Sequence, residues 1–345
     1  MRLRNIIWSC NECIPNFHYI VRAKNLFQTS YKTGSLYLTL LLVCAMLLTG
    51  CSAGSQKTRG GAQQEEVDYS VKGSRPSTPN VLIPRQSGKN VIGSDEVEVD
   101  ISNLQDGYLS VRWLSDPPKL KLQLTSDDEV TYTYDLPSDG SWTVFPLSSG
   151  SGRYLLGIYN NIEATMYAES FSTDLDVELT DEFGPFLYPN QYCWFTGSTK
   201  AIAEGQRICG PANSDVDAVG LIYNYLVSHV TYDYEEAETV QSGYLPDVDE
   251  VLSTGRGICL DYASLMSAML RSQGIPTRME IGYAGTAYHA WISCFVDDIG
   301  WVNGIIEFDG ETWKLMDPTF ASTQGQKKLQ KFVGDGDNYR RVYLY

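Results

Sequence analysis

Residues 255–278, GRGICLDYASLMSAMLRSQGIPTR, decide how this chain is read. A Gly-Arg-Gly turn passes into a helical pattern with Leu265, Met266, Met269 and Leu270 on one face. The pattern stops at Gly274, with Pro276 beyond. Glycine just past a helix end adopts the left-handed conformation without strain, and proline cannot continue the helix, so both ends are marked. Cys259 stands at the start. A free thiol, with a pKa of about 8.5, is mostly protonated at neutral pH, and the partial positive charge of a helix N-terminus favours its anion. Position alone therefore nominates Cys259 as a nucleophile and predicts a pKa below that of a free thiol. Gly255 and Gly257 are expected to sharpen the turn and leave room for a substrate at the sulfur. Asp261 would oppose the thiolate, and is expected to point away or to accept N–H groups in the first turn.

Working upstream, Val216, Val219, Tyr223, Leu226, Val227 and Val230 recur at helical spacing behind Asn213, Ser214 and Asp215, and a short helix is predicted over Val248 to Leu252. Downstream the chain is strand-like: RMEIGY, HAWISCFV and GIIEF, then ETWKLMD across an Asp309-Gly310 turn. Helices first and an antiparallel sheet afterwards predict an α+β domain. A base is found by elimination among three histidines. His18 belongs to the leader region, and His229 ends a helix, where a polar residue has an ordinary explanation. His289, which opens a strand, remains. An orienting carboxylate belongs on the adjacent strand, where Asp317 fits best; Asp297, Asp298 and Asp309 sit in turn-like contexts. The backbone N–H of Cys259 is a natural oxyanion donor, and Tyr283, Tyr288 or a residue of the Tyr244 loop are candidates for the second. Histidine is too scarce for a metal site, and no glycine-rich phosphate motif opens a helix after a strand, so no cofactor is expected.

Four blocks stand in order: Gly257-Ile258-Cys259-Leu260-Asp261-Tyr262-Ala263, Arg271 to Arg278, His289-Ala290-Trp291, and Trp313 with Asp317-Pro318-Thr319. Together they resemble the core of the transglutaminase-like superfamily, and the helix ending Val230-Thr231-Tyr232-Asp233 is similar too. The resemblance covers residues 210–320. It implies a papain-like α+β fold and a Cys259–His289–Asp317 triad; the surface location that the leader implies suggests a peptide or protein substrate in cell-wall peptide, secreted protein or host material. Bacterial members include peptidases and amidases, so the resemblance does not imply cross-linking, and hydrolysis is expected because water is the abundant acceptor. The span from His289 to Asp317 is longer than usual for the family, by a hairpin around Gly300–Gly310.

The rest lies outside the resemblance. Residues 93–180 carry short alternating runs (VEVDI, YLSVRWL, LKLQL, VTYTYDL, WTVFPL, YLLGIY, TMYAESF, DLDVEL) separated by turn signals, and predict a β-sandwich-like domain serving as spacer or binding module. The α+β domain then occupies 181–345. Residues 51–92, rich in Ser, Gly, Gln, Pro and charge, predict a disordered tether. Leu36 to Leu48 is an apolar run of 13 residues preceded by Arg22, Lys24 and Lys32. That is short for a membrane span and suited to a signal peptide. Leu48-Thr49-Gly50-Cys51 follows and resembles a lipobox, which makes residues 1–50 a leader and Cys51 the lipidated first residue of an extracytoplasmic, membrane-anchored protein. The whole chain carries a formal charge of −16, and the part after residue 50 is more acidic still, which makes nucleic acid a poor partner. Cys10 and Cys13 lack a second pair for a zinc site, while Cys193 and Cys209 are expected as a disulfide or as two buried free thiols. A rival reading from another class is a non-catalytic surface binding protein that uses the cleft and the sandwich for recognition.

Overall fold

The computed structural model describes residues 6–8, 67–115, 119–284, 287–297, 299–302, 306–308, 313–315 and 339–345. The leader apart from Ile6–Trp8, Cys51, residues 52–66, Asp298, Asp309 and Asp317 lie outside them.

Alternation of apolar and polar residues builds the first half. Strands β2 (Val91–Gly93), β3 (Val97–Asp100), β4 (Tyr108–Trp113) and β7 (Thr143–Pro146) form one antiparallel sheet in the order β2-β3-β4-β7. The second sheet contains β5 (Leu120–Ser126), β6 (Thr131–Asp135), β8 (Gly152–Glu163) and β9 (Met166–Val177), with β1 (Ile6–Trp8) at its edge, in the order β1-β9-β8-β5-β6. In β5 every second residue is buried, because successive side chains point to opposite faces. Val99, Val111, Leu122, Leu124, Leu156 and Ile158 are fully buried in the core. TMYAESF and DLDVEL, read separately in the sequence, are one strand, β9, since Ser172 and Thr173 between them carry no turn chemistry.

Helices α1 (Lys200–Ile208), α2 (Asp215–His229), α3 (Tyr234–Thr239), α4 (Val248–Thr254) and α5 (Cys259–Ser272) follow. The N-termini of α2, α3 and α4 are capped by their own N-cap side chains. Ser214 Oγ accepts from Asp217 N–H at 3.1 Å, Asp233 from Glu235 and Glu236, and Asp247 from Asp249 and Glu250. Helix α1 is capped across the fold, since the Asp249 carboxylate accepts the N–H groups of Lys200 and Ala201 at 3.0 and 2.9 Å. All of α5 except Leu260 is buried, rather than the single face that its periodicity suggested. It packs against α1, α2 and α4 and against β12 (Thr277–Ala284) and β13 (Ala287–Val296). With β14 (Gly300–Val302) and β17 (Tyr339–Leu344) these strands form an antiparallel sheet in the order β14-β13-β12-β17. The extra hairpin is present as β15 (Ile306–Phe308) paired with β16 (Trp313–Leu315).

Burying α5 obliges its polar residues to find partners. Arg271, 1% exposed, donates to the carbonyl oxygens of Thr277, Tyr188 and Tyr345, all at 2.8–3.0 Å. Ser264 Oγ donates to Tyr192 O at 2.8 Å. The two halves meet through tyrosines: Tyr134 lies 6.1 Å from Tyr192 and 5.7 Å from Tyr345, while Tyr132 lies 5.9 Å from Tyr343. Each such ring contact contributes about 0.5–1.5 kcal/mol beyond area burial.

The tether expectation requires correction for residues 67–92. Gly73 N–H donates to Gly210 O at 2.8 Å, Arg75 N–H to Ala212 O at 3.0 Å and Asn80 N–H to Ser272 O at 2.7 Å. Arg75 Nε meets Asp215 Oδ1 at 2.6 Å, and its Nη2 donates to Gln273 O at 2.7 Å. Further along, Arg85 N–H donates to Tyr108 Oη and Gly88 N–H to Asp100 Oδ2, both at 2.9 Å. The strap has no core of its own; backbone bonds, the Arg75 guanidinium and the packing of Tyr69, Val81 and Ile92 against the body hold it. Cys193 and Cys209 are buried free thiols, not a disulfide.

Candidate active site

The turn before Cys259 begins where α4 ends. Gly255 takes φ +62° and closes α4 through its N–H to Val251 O. Arg256–Gly257, here β11, then pairs in parallel with Thr231–Tyr232, here β10, so the end of α2 is zipped to the nucleophile turn. Thr231 N–H donates to Gly255 O at 2.8 Å and Asp233 N–H to Gly257 O at 3.0 Å. The Tyr262 hydroxyl bonds to the Val230 carbonyl and ties α5 to the same corner. The room left by Gly257 is taken by Asp261 rather than by a substrate, because a Cβ on that glycine would come 2.6 Å from Asp261 Cβ.

Asp261 does accept a first-turn N–H, as expected: Oδ2 takes Ile258 N–H at 2.8 Å, while Oδ1 accepts the Tyr244 hydroxyl at 2.7 Å. It does not point to solvent. The residue is 0% exposed, and burial, partly offset by these two hydrogen bonds, pushes its carboxyl up to about 6.

Cys259 is the first residue of α5 and 2% exposed. Burial pushes its thiol up to about 11. The N–H groups of Ala290, Leu260 and Cys259 itself act against that rise, and the Asp261 charge adds to it. The expectation of a lowered pKa is therefore overturned for this resting arrangement, because desolvation outweighs the helix terminus. The other described thiols are raised as well, with Cys193 at about 11, Cys209 at about 12 and Cys294 higher.

The contact from Ala290 N–H to the sulfur locates the strand that carries His289. Adjacent Cα atoms are about 3.8 Å apart, so β13 brings His289 to the nucleophile end of α5. His289 is buried, and its ring stacks on that of Trp291 at 6.3 Å. Trp291 is fixed in turn, donating Nε1–H to Glu280 Oε2 at 3.0 Å, while Ser293 donates to Glu280 Oε1 at 2.5 Å. Opposite His289 in the register is Gly282, where a Cβ would fall 2.2 Å from Arg340 O, so the bare glycine admits β17. His229 plays the local role expected of it: its ring stacks on Tyr225 at 3.9 Å and its Nδ1 lies 2.9 Å from Tyr225 O. Asp297 is exposed.

Of the candidate second oxyanion donors, Tyr244 has its hydroxyl committed to Asp261, and Tyr288 lies near enough to Cys259 to interact with it electrostatically. Tyr232, part of the resemblance but without a role there, pairs with Gly257, two residues before Cys259. The parallel bridge that positions it links residues 24 or more apart and leaves no local signal.

Residues 202–304 match the profile of the Transglutaminase-like superfamily. The UPF0252 protein MJ1282 of Methanocaldococcus jannaschii is 28% identical over 89 residues, and the match spans 22% of this chain and 25% of that relative. A structure of a candidate cysteine protease from Cytophaga hutchinsonii is 17% identical, with a TM-score of 0.31 over 62% of this chain and 67% of its own. Red sea bream transglutaminase is 14% identical, with a TM-score of 0.29 over 64% of this chain and 51% of its own. An immunoglobulin-like β-sandwich protein of the DUF3244 family from Bacteroides vulgatus is 14% identical, with a TM-score of 0.18 over 24% of this chain and 94% of its own. By the profile match, residues 202–304 form a domain of the transglutaminase-like superfamily.

Proposed function

We propose that the chain is a cysteine acyl-transfer enzyme that hydrolyses peptide or amide bonds through a thioester on Cys259. The observation that carries this reading is the placement of Cys259 at the first residue of α5, with the N–H of His289's neighbour, Ala290, directed at its sulfur. His289 takes the thiol proton as sulfur attacks the carbonyl carbon, then returns it to the leaving amine; water resolves the thioester. Asp317 orients the imidazole. The substrate is a peptide or protein outside the cytoplasm, cell-wall peptide being one class, and a lipid on Cys51 holds the enzyme at the membrane.

The test uses the full chain with p-nitrophenyl acetate as acyl donor. Acetyl should appear on Cys259 and be lost by hydrolysis, Cys259→Ala should abolish both steps, and Asp317→Asn should slow turnover. Acetylation elsewhere, or turnover that survives Cys259→Ala, refutes the reading. In the same cells, Cys51→Ala should release the protein from the membrane fraction; unchanged fractionation refutes the anchor. The burial and raised pKa of the sulfur favour the second reading, a non-catalytic surface binding protein, and complete absence of acetylation would select it.

A further inference from the structure

A histidine base takes a proton only along the plane of its ring, so the orientation of that plane decides how often it works. The side chain does not fix the plane by itself, because rotation about its last bond is broad and nearly two-fold. Hydrogen bonds hold the ring nitrogens; packing against a face of the ring holds the plane. His289 lies directly opposite Gly282, which admits β17 and offers the imidazole no side chain. Two residues along β13 the Trp291 indole supplies a wall, its centroid 6.3 Å from that of the imidazole and its plane 22° away.

The wall is itself held from the neighbouring strand. His289, Trp291 and Ser293 alternate onto one face of β13. Glu280 of β12 stands opposite Trp291 in the register, and its Oε2 accepts the indole Nε1–H at 3.0 Å. Its other oxygen, Oε1, accepts the Ser293 hydroxyl at 2.5 Å. One carboxylate thus grips two donors spaced along the strand that carries His289. Glu280, Trp291 and Ser293 are all buried. An acidic side chain in such a place is costly unless hydrogen bonds satisfy it, and an apolar residue would fill the space at less cost. What the carboxylate supplies, and an apolar residue could not, is an acceptor that fixes the rotation of the indole.

We propose that Glu280 is a positioning residue of this site: its carboxylate locks the Trp291 indole, and the indole sets the plane of the His289 imidazole. The proposal rests on the acyl-transfer reading above. Glu280 acts through Trp291 and not on the substrate. When the lock is lost, the imidazole samples planes from which it cannot take the thiol proton, so chemistry slows while binding of the acyl donor stays as it was. The signature is a fall in kcat with KM unchanged.

The test measures turnover of p-nitrophenyl acetate by the full chain, with urea unfolding of each variant. Glu280→Gln keeps the shape but sets an amide N–H group against one of the two donors. It should lower kcat about tenfold or more with KM unchanged. Adding Ser293→Ala removes the competing donor and frees the amide oxygen for Trp291, so the double variant should recover to within about threefold of wild type. The loss must also pass through His289: in a His289→Ala background, where acetylation is followed as acetyl bound to Cys259, Glu280→Gln should slow it no further. A Glu280→Gln chain that unfolds in less urea yet keeps its kcat overturns the proposal, because the carboxylate would then serve the fold alone. So does a loss that persists in the His289→Ala background, or one that Ser293→Ala fails to relieve. If Glu280→Gln does not fold, Trp291→Phe, which keeps a ring and removes the N–H, decides instead, and an unchanged kcat there overturns the proposal. A wild type that never acetylates Cys259 removes the acyl-transfer reading itself, an outcome distinct from all of these.

Discussion

Replacing the buried carboxylate beside the nucleophile, Asp261→Asn, tests whether Asp261 is a strained acid in the folded chain. Its carboxyl is raised from an ordinary 3.8 to about 6, chiefly by burial. A group with a raised folded pKa binds its proton more tightly in the native state. Its contribution to stability is therefore fully present below pH 3.8 and is lost as pH rises through about 6. At ~1.4 kcal/mol for each tenfold in proton affinity, the loss amounts to about 3 kcal/mol. The substitution imitates the protonated form: the amide oxygen can still accept from Ile258 N–H, and the Tyr244 hydroxyl can turn to the nearby Glu236. Urea unfolding of both proteins at about pH 4 and about pH 7.5 isolates this group, since other carboxylates cancel in the difference. Because the unfolded carboxyl is already partly ionised at about pH 4, wild type should lose about 2.5 kcal/mol relative to the variant between the two conditions. Parallel pH profiles would refute the reasoning. The same variant carries a functional readout: the Asp261 charge raises the Cys259 thiol, so removing it should speed iodoacetamide alkylation above about pH 6, where wild-type Asp261 is ionised and the thiol still mostly protonated. Stability that shifts while alkylation does not would show that the carboxylate is strained but not felt at the sulfur.

Two further perturbations address the frame around the site. Arg271→Met strands three carbonyl acceptors, Thr277, Tyr188 and Tyr345, and should cost at least about 3 kcal/mol in urea unfolding; a loss under ~1 kcal/mol would mean that water replaces the guanidinium. Arg75→Ala should free the strap, so limited proteolysis that spares residues 67–92 in wild type should cut there in the variant; equal cleavage in both would show that the backbone bonds suffice without Arg75.

The parts of this fold that sequence shows are those written in local chemistry. The Gly-Arg-Gly turn, the stop at Gly274 and the Ser214 cap each act within four residues, and α2, α4 and α5 lie where those signals put them. Helix α1 is different, because its terminal N–H groups are satisfied by Asp249, 48 residues downstream of Ala201. Helix α3 did carry a signal, Asp233 ahead of Glu235 and Glu236, but its six residues bury nothing and so show no period. The strap fails in another way: a polar segment with no core of its own was read as disordered, although a folded neighbour supplies partners for its backbone. The thiol pKa depends on burial, which a helix-terminus argument does not contain.

The raised thiol also changes where the helix terminus does its work. With Cys259 pushed up to about 11, the resting sulfur is a thiol, so the dipole of α5 is not spent on a standing thiolate. Interactions that are stronger in the transition state than in the ground state are those that accelerate a reaction. The N–H groups of Cys259, Leu260 and Ala290 converge on a sulfur that is neutral at rest, where they gain little. On the acyl-transfer reading proposed above, they gain most when charge appears, first on sulfur as the proton leaves for His289 and then on the carbonyl oxygen. Asp261 reinforces this order by penalising the early thiolate while holding the turn through Ile258 N–H. On the same reading, such a site needs an acyl donor in place before its nucleophile ionises, and until then its sulfur stays a buried thiol, the form less open to oxidation than a thiolate.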